Sequence, residues 1–382
     1  MRFLVIGAGK QGSACAFDLL QRPATKTVIL ADRNLDHVPA FLDPWKGKTL
    51  ELLQLDLGDG PAVAAAMARA DAVLSAAPYY FNFELARAAV RAGVHFADLG
   101  GNTEIVFQQQ TLHDEAVKRK VSVGPDCGLA PGMVNILAAE GIRRLDETDS
   151  VKIFVGGLPQ QPEPPLNYMV VYSLEGAFDY YTSASWVLRN GKRTQVEALT
   201  EIEHVVFPDP VGKLEAFHTA GGISTLPFTW EGKVRTMEYK TLRYPGHVAI
   251  MKPIRELGLL GTEPVQVNGA SIKPRDAFIA VVSPQLTKPE GRDLVALMVD
   301  VRGRKDGRPA STRWQLVDRY DAQHHVTAMM RTTGYSLAIT GLLQLDGRIT
   351  ARGVHTPDEC VPAGPYVEEL ATRGVVIEET RH

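Results

Sequence analysis

The chain is 382 residues long, 45% apolar and 22% charged, with a formal net charge of −3. That length calls for two domains, and the charge leaves no broad basic surface for nucleic acid or anionic lipid. No apolar run reaches the ~18 residues of a membrane helix, and Cys15, Cys127 and Cys360 are too scattered for a zinc or redox spacing, so no metal and a reduced, cytoplasmic compartment are expected.

The first residues, MRFLVIGAG, read as a strand rather than a cleavable signal. FLVI is a continuous apolar run of the kind buried on both faces of a parallel sheet. It leads into Gly7-Ala8-Gly9-Lys10-Gln11-Gly12 and then a helical stretch. Strand, G-x-G-x-x-G and helix in that order form the context in which this motif binds a dinucleotide. Gly7 permits the turn, Gly9 lets backbone approach a pyrophosphate, and Gly12 lets helix pack on strand. The helix N-terminus then faces the phosphate charge. The next strand, TVILAD, ends at Asp32, where an acid bonds the adenosine ribose hydroxyls and repels a 2′-phosphate. NAD is therefore the expected cofactor, with the neighbouring Arg33 as the residue that would suit NADP.

More strand–helix units follow. LELLQLDLGD ends near Asp56, a candidate to sit by the adenine, and ADAVLSAAPYY ends at Ala77 and Pro78. VHFADLGG ends at Asp98 and Gly100, and VSVGPDCG is a further strand. FELARAAVRAG and TLHDEAVKRK are connecting helices. Such alternation predicts an α/β fold with a doubly wound parallel sheet, whose ligands lie beyond the carboxyl ends of the strands. The expected cofactor set is Gly7, Gly9, Lys10, Gln11, Gly12, Asp32, Arg33, Asp56, Ala77, Pro78 and Gly100.

After about residue 130 the rhythm changes. SVKIFVGGLP, NYMVVYS, HVAIMKPI and HVTAMMRTTGY read as longer strands, and RGRKDGRPAS as a hairpin turn. These predict a second α+β domain with a mixed or antiparallel sheet. The expected boundaries are 1–128 for the dinucleotide-binding domain, 129–335 for the substrate-binding domain, and 336–382 for a tail returning to the first domain.

Asp126 and Asp98 fall at strand ends, where a carboxylate can bind a substrate ammonium or act as a base. Pro131 can open the following helix, and that turn's free N–H groups would then face a substrate carboxylate. Arg243 and Lys240, in KTLRYPGH, are suited to an amino-acid carboxylate. Tyr79 and His218 are further candidates to line a cleft. Cys127 is expected to be a buried thiol rather than a nucleophile, because no paired base is apparent.

PYYFNFELARAAVRAGVHFADLGGNT, PDCGLAPGMVNILAAEG, VEALTEIE, EAFHTAGGISTLP, KTLRYPGH and GVHTPDECV together resemble the saccharopine dehydrogenase-like superfamily, and within it the L-lysine 6-dehydrogenase branch. PYYFN, GLAPG and KTLRYPG stand where the glutamate-forming reductases carry PYTFH, GLDPG and GTLRYxGF. The resemblance implies NAD-dependent oxidation of the ε-amine of L-lysine to 2-aminoadipate 6-semialdehyde, which cyclises to piperideine-6-carboxylate, with release of ammonia. It also implies a homodimer. Asp126 and Asp98 would be the catalytic carboxylates, and Tyr79, Lys240, Arg243 and His218 would bind substrate. Three alternatives stay open: a saccharopine reductase or other opine-type enzyme, a Cys127-dependent semialdehyde dehydrogenase, and a non-catalytic NAD-binding sensor.

Overall fold

The computed structural model describes all 382 residues. Six strands build the first sheet from the N-terminal part: β1 (Arg2–Ile6), β2 (Thr27–Asp32), β3 (Leu50–Gln54), β4 (Ala72–Ser75), β5 (His95–Asp98) and β6 (Ser122–Gly124). Their order is β3-β2-β1-β4-β5-β6 and every pairing is parallel. β1 is apolar throughout its buried length, and β4 up to its last residue, Ser75, because helices cover both faces. The order reverses between β1 and β4, so the ligand crevice opens where the glycine loop leaves β1.

The second sheet uses β7 (Glu147–Pro159), β8 (Ser185–Arg189), β9 (Lys192–Val196), β10 (Glu203–Val206), β11 (Lys213–His218) and β12 (Val234–Arg243). A small hairpin, β13 (Val265–Val267) and β14 (Ala270–Ile272), stands apart from it, and β15 (Asp293–Lys305) and β16 (Arg308–Arg319) complete its long strands. β17 (Gly353–Val354) returns to the first sheet beside β6, and β18 (Glu378–Arg381) closes the chain. The second sheet runs β10-β11-β12-β7-β15-β16-β18 and is mixed, with β12 and β7 parallel and the other neighbours on this path antiparallel. Asp306-Gly307 forms the two-residue turn between β15 and β16, both residues at positive φ, as the sequence predicts.

Several expected elements differ. HVAIMKPI forms a helix, His247–Glu256, which buries His247, Val248 and Met251 at helical spacing. NYMVVYS is irregular chain rather than strand. HVTAMMRTTGY is not a strand either: from Ala328 it forms the start of the helix Ala328–Leu345, and the expected boundary at residue 335 falls inside that helix. That helix starts in the second domain, where Asp293 accepts the N–H groups of Ala328 and Met329 at 2.7 and 2.9 Å. It then runs against the first domain, where Gln344 donates to the Phe96 carbonyl at 2.9 Å.

The tail returns to both sheets, because β18 pairs with β16 of the second. Its strongest tie to the first domain is Arg373, whose guanidinium grips the Asp18 carboxylate at 2.8 and 2.9 Å with both side chains almost wholly buried. Breaking a buried pair is costly, and Asp18 would keep only the partly exposed Arg22, at 3.2 Å. Arg373→Met is accordingly expected to lower unfolding stability by ~3–5 kcal/mol, read from urea denaturation.

Candidate active site

The glycine loop carries the geometry that its sequence predicts. Gly7 has φ +98°, and a Cβ on Gly12 would lie 1.7 Å from the Gly7 carbonyl oxygen. No other side chain fits there. A Cβ on Gly9, in contrast, would meet nothing within 4 Å, so open space lies where a pyrophosphate would approach. Lys10 and Gln11 open the helix Lys10–Leu20. Lys10 is exposed, whereas the buried side-chain oxygen of Gln11 has no hydrogen-bond donor. Asp32 ends β2 and accepts the Ala8 N–H at 2.7 Å and the Asn34 N–H at 3.0 Å, which fixes it against the loop. Arg33 is exposed. Asp56 is exposed and accepts the Gly58 N–H of its own turn at 2.9 Å. Ala77, Pro78 and Gly100 line the cleft beyond the ends of β4 and β5. These residues fit a dinucleotide.

That cleft, of about 360 Å³, lies between the strand ends of the first domain and one face of the second sheet. Alternation along β12 decides what it receives. Tyr239, Thr241 and Arg243 point into it. Lys240 points to the opposite face, donating to Glu203 at 2.6 Å and to the Glu201 carbonyl at 2.7 Å. His218 is paired across from Lys240 in β11 and shares that face, where its Nε2 lies 3.1 Å from Glu201. Lys240 and His218 therefore do not reach the cleft. The Glu201–His218–Glu238 cluster has the spacing of metal ligands, but Arg189 and Lys152 already neutralise its carboxylates.

Arg243 is 2% exposed. Its Nε donates to the Tyr181 hydroxyl at 3.2 Å and one terminal nitrogen donates to the Leu242 carbonyl at 2.8 Å. The guanidinium stacks 4.8 Å from the Tyr168 ring centroid. It has no carboxylate partner in the protein, and it is the only charged residue lining the cleft. His247 supports it indirectly: its Nε2 lies 3.0 Å from the Tyr181 hydroxyl and its Nδ1 lies 3.1 Å from the Leu166 carbonyl. Burial pushes the His247 pKa down to about 3, so its ring stays neutral. The proton on Nδ1 is fixed by the carbonyl, Nε2 accepts from Tyr181, and Tyr181 is left to accept from Arg243.

The two aspartates have unlike surroundings. Asp98 is fully buried and fully engaged, accepting Gly100 N–H at 2.7 Å, Asp126 N–H at 3.3 Å and Gln109 Nε2 at 2.6 Å. Burial raises its pKa to about 6 against these bonds. It holds the two loops together. Asp126 is equally buried, at φ +63°, and neither carboxylate oxygen has a donor in bonding geometry. It lies directly behind Gly100, where a Cβ would be 1.8 Å from its Oδ1. Burial pushes its pKa up to about 7, opposed by the nearby Ser224 hydroxyl and assisted by Asp98.

The turn after Asp126 is closed to anions. The helix begins at Met133 rather than Pro131, and the Met133 and Val134 N–H groups already bond the Gly128 and Leu129 carbonyls. Cys127 is 1% exposed and bonds the Gly124 carbonyl at 3.3 Å, and burial raises its pKa well above the ordinary thiol value. Cys127→Ser is expected to retain turnover within about threefold of wild type, as measured by initial rates. Tyr79 stands half-exposed at the cleft mouth. Tyr172, Tyr180, Tyr239 and Thr241, which sequence reading does not single out, complete the wall. A second cavity of about 400 Å³ adjoins the cleft through Tyr79, Gly101 and Tyr180, and its only charged lining residues are Glu104 and Asp179.

A glycine loop at the switch point, an acid at the end of β2 and a polar cleft facing a second sheet define a dinucleotide-dependent oxidoreductase. The chain belongs to the saccharopine dehydrogenase family: residues 128–375 match the saccharopine dehydrogenase C-terminal domain and residues 3–123 the saccharopine dehydrogenase NADP binding domain. It is 20% identical to the NADP+, L-glutamate-forming saccharopine dehydrogenase of Schizosaccharomyces pombe, over 98% of each chain. Identity to the mitochondrial alpha-aminoadipic semialdehyde synthase of Mus musculus is 21%, over 80% of this chain and 40% of that longer protein. The fold matches apo saccharopine dehydrogenase (L-Glu forming) from Saccharomyces cerevisiae with a TM-score of 0.81 at 22% identity, covering 100% of this chain and 99% of that one. No helix is long and apolar enough to cross a membrane.

Proposed function

We propose that this enzyme catalyses NAD-dependent oxidative deamination of the ε-amine of L-lysine. The observation that carries this reading is the charge inventory of the site. The cleft offers one cation, Arg243, and the charged lining of the adjoining cavity is Glu104 together with Asp179, which is paired with Arg275. One buried guanidinium without a partner calls for one carboxylate. Lysine brings one carboxylate and a cationic chain end. Saccharopine brings three carboxylates, two of which would find no cation here. The saccharopine reductase reading retains the support of the relatives' activity.

In this scheme Arg243 holds the α-carboxylate, Tyr239 and Tyr172 flank the chain, and Asp126, which lies behind Gly100 and outside the cleft lining, takes the proton of the ε-ammonium through a water. That step is required because a free lysine amine has a pKa of about 10.4, and hydride departs from carbon only when nitrogen has a lone pair to offer. Bound NAD supplies the hydride acceptor. Gly9, Gln11 and Asp32 would hold it. Water then attacks the carbon–nitrogen double bond with the same carboxylate as base. The overall balance is lysine with its ε-ammonium, NAD+ and water giving semialdehyde, NADH, ammonium and one proton.

The cofactor assignment rests on Asp32, whose charge opposes a 2′-phosphate. Asp32→Ser is expected to lower kcat/KM with NAD by about tenfold and to raise it with NADP, since each lost ribose hydrogen bond to a charged group is worth ~1.5–3 kcal/mol. Parallel assays with lysine and NAD, and with saccharopine and NADP, test the reading as a whole. A higher kcat/KM in the second would overturn it.

A further inference from the structure

We propose that Tyr366, from the C-terminal tail, and Ser336 are positioning residues that hold the loop carrying Asp126, so that the tail completes the active site. The proposal rests on the reading of Asp126 as the proton acceptor. Neither Asp126 oxygen has a donor in bonding geometry, so its own main chain has to place the carboxyl. Outside that turn and the helix it leads into, the main chain of residues 126–131 bonds two residues. On one side Asp98 accepts the Asp126 N–H at 3.3 Å with its carboxylate and the Cys127 N–H at 2.7 Å with its carbonyl. On the other, Ser336 Oγ donates to the Gly128 carbonyl at 2.9 Å.

Ser336 departs from its neighbours on the helix Ala328–Leu345. Thr332 and Thr340 turn their hydroxyls back to the carbonyls four residues earlier, at 2.8 and 3.0 Å, the ordinary habit of a helical hydroxyl. Ser336 instead reaches across to Gly128, and its other partner is the Tyr366 hydroxyl, 2.6 Å away. The serine proton is committed to the carbonyl, so Tyr366 is the donor of that pair. Both side chains are buried, Tyr366 completely, and Ser336 is the one partner of the tyrosine hydroxyl. A buried hydroxyl keeps its partner because the alternative is an unmet bond, and two such bonds in a chain strengthen each other. Tyr366 thereby fixes the Ser336 hydroxyl on the loop.

The same helix also braces the cofactor side. Gly334 lies so close to the start of the helix Lys10–Leu20 that a Cβ there would be 2.6 Å from the Gln11 carbonyl oxygen. Thr333, the next residue back, lines the cleft together with Gly128. One helix therefore sets the spacing between the cofactor helix and the Asp126 loop, and Tyr366 secures its contact with the loop.

Tyr366→Phe keeps the ring and removes only the hydroxyl. The expected result is a fall in kcat of about tenfold with KM for lysine and for NAD unchanged. The midpoint of kcat against pH should move below about 7, because a loosened loop lets water reach the buried Asp126 carboxyl. Ser336→Ala should behave alike, and the double variant should be no slower than Ser336→Ala, because Tyr366 acts through the serine. Rates are taken well below the melting temperature of each variant, so that they report folded enzyme. An unchanged kcat, a fall in kcat with the pH midpoint still in place, or a double variant that multiplies the two losses would overturn the proposal. If Asp126→Asn itself kept full turnover, the reading of Asp126 would fail first. An inactive Asp126→Asn beside a fully active Tyr366→Phe would sink the positioning role alone.

Discussion

Asp126→Asn is expected to lower kcat with lysine by about 10²–10⁴-fold and, at the same time, to make the protein more stable at alkaline pH. The two effects share one cause. The Asp126 carboxylate is buried without a donor, and its pKa stands near 7 instead of 3.8. In the folded state it holds its proton over a range where the unfolded chain has released it. Folding therefore carries no penalty from this group below about pH 4, loses stability as pH rises toward 7, and bears the full penalty above that. An asparagine keeps the shape, tolerates the positive φ, and never ionises. The gain at pH 8–9 should be on the order of 2–4 kcal/mol and should vanish near pH 4. Thermal unfolding of both proteins across this range would show the gain. Activity should run the other way: in the wild type kcat rises with pH through about 7 as the base ionises. A variant that lost stability together with activity would mark Asp126 as structural.

Arg243→Met is expected to raise KM for lysine by about 10²–10³-fold, the cost of leaving a buried carboxylate without its partner. Arg243→Lys should recover little, because a point charge on a flexible stem cannot reproduce the fork that Tyr181 and the Leu242 carbonyl orient. 1,5-Diaminopentane provides the control: it has the amine end but no carboxylate. Its kcat/KM should be low in the wild type and change by less than threefold in Arg243→Met. The preference for lysine over the diamine should collapse accordingly. An equal loss on both substrates would place Arg243 in the scaffold rather than at the carboxylate.

Much of the first domain is legible in the sequence because its elements are local. FLVI followed by Gly7, Gly9 and Gly12 states a strand, a turn and a helix within one short segment, and the structure places them so. The Asp306-Gly307 turn is legible for the same reason. The second domain is harder. HVAIMKPI has the β-branched and apolar content of a strand, yet it forms a helix whose inner face is set by packing on Phe217 and Tyr181. Within KTLRYPGH, strand parity already separates Lys240 from Arg243, since residues three apart point to opposite faces. The same parity would have brought in Tyr239 and Thr241. Asp98 and Asp126 look alike as strand-end acids. What distinguishes them is Gln109, which satisfies one, and the Gly100 floor, which isolates the other.

The most direct test of the central claim is isotopic. L-lysine carrying two deuterium atoms on its ε-carbon is supplied with NAD, and the reduced cofactor is analysed by mass. The account predicts deuterium in every NADH formed, with a primary isotope effect on kcat/KM at saturating NAD. Reduced cofactor without deuterium, or no reduction by lysine alongside ready reduction of NADP by saccharopine, would contradict it.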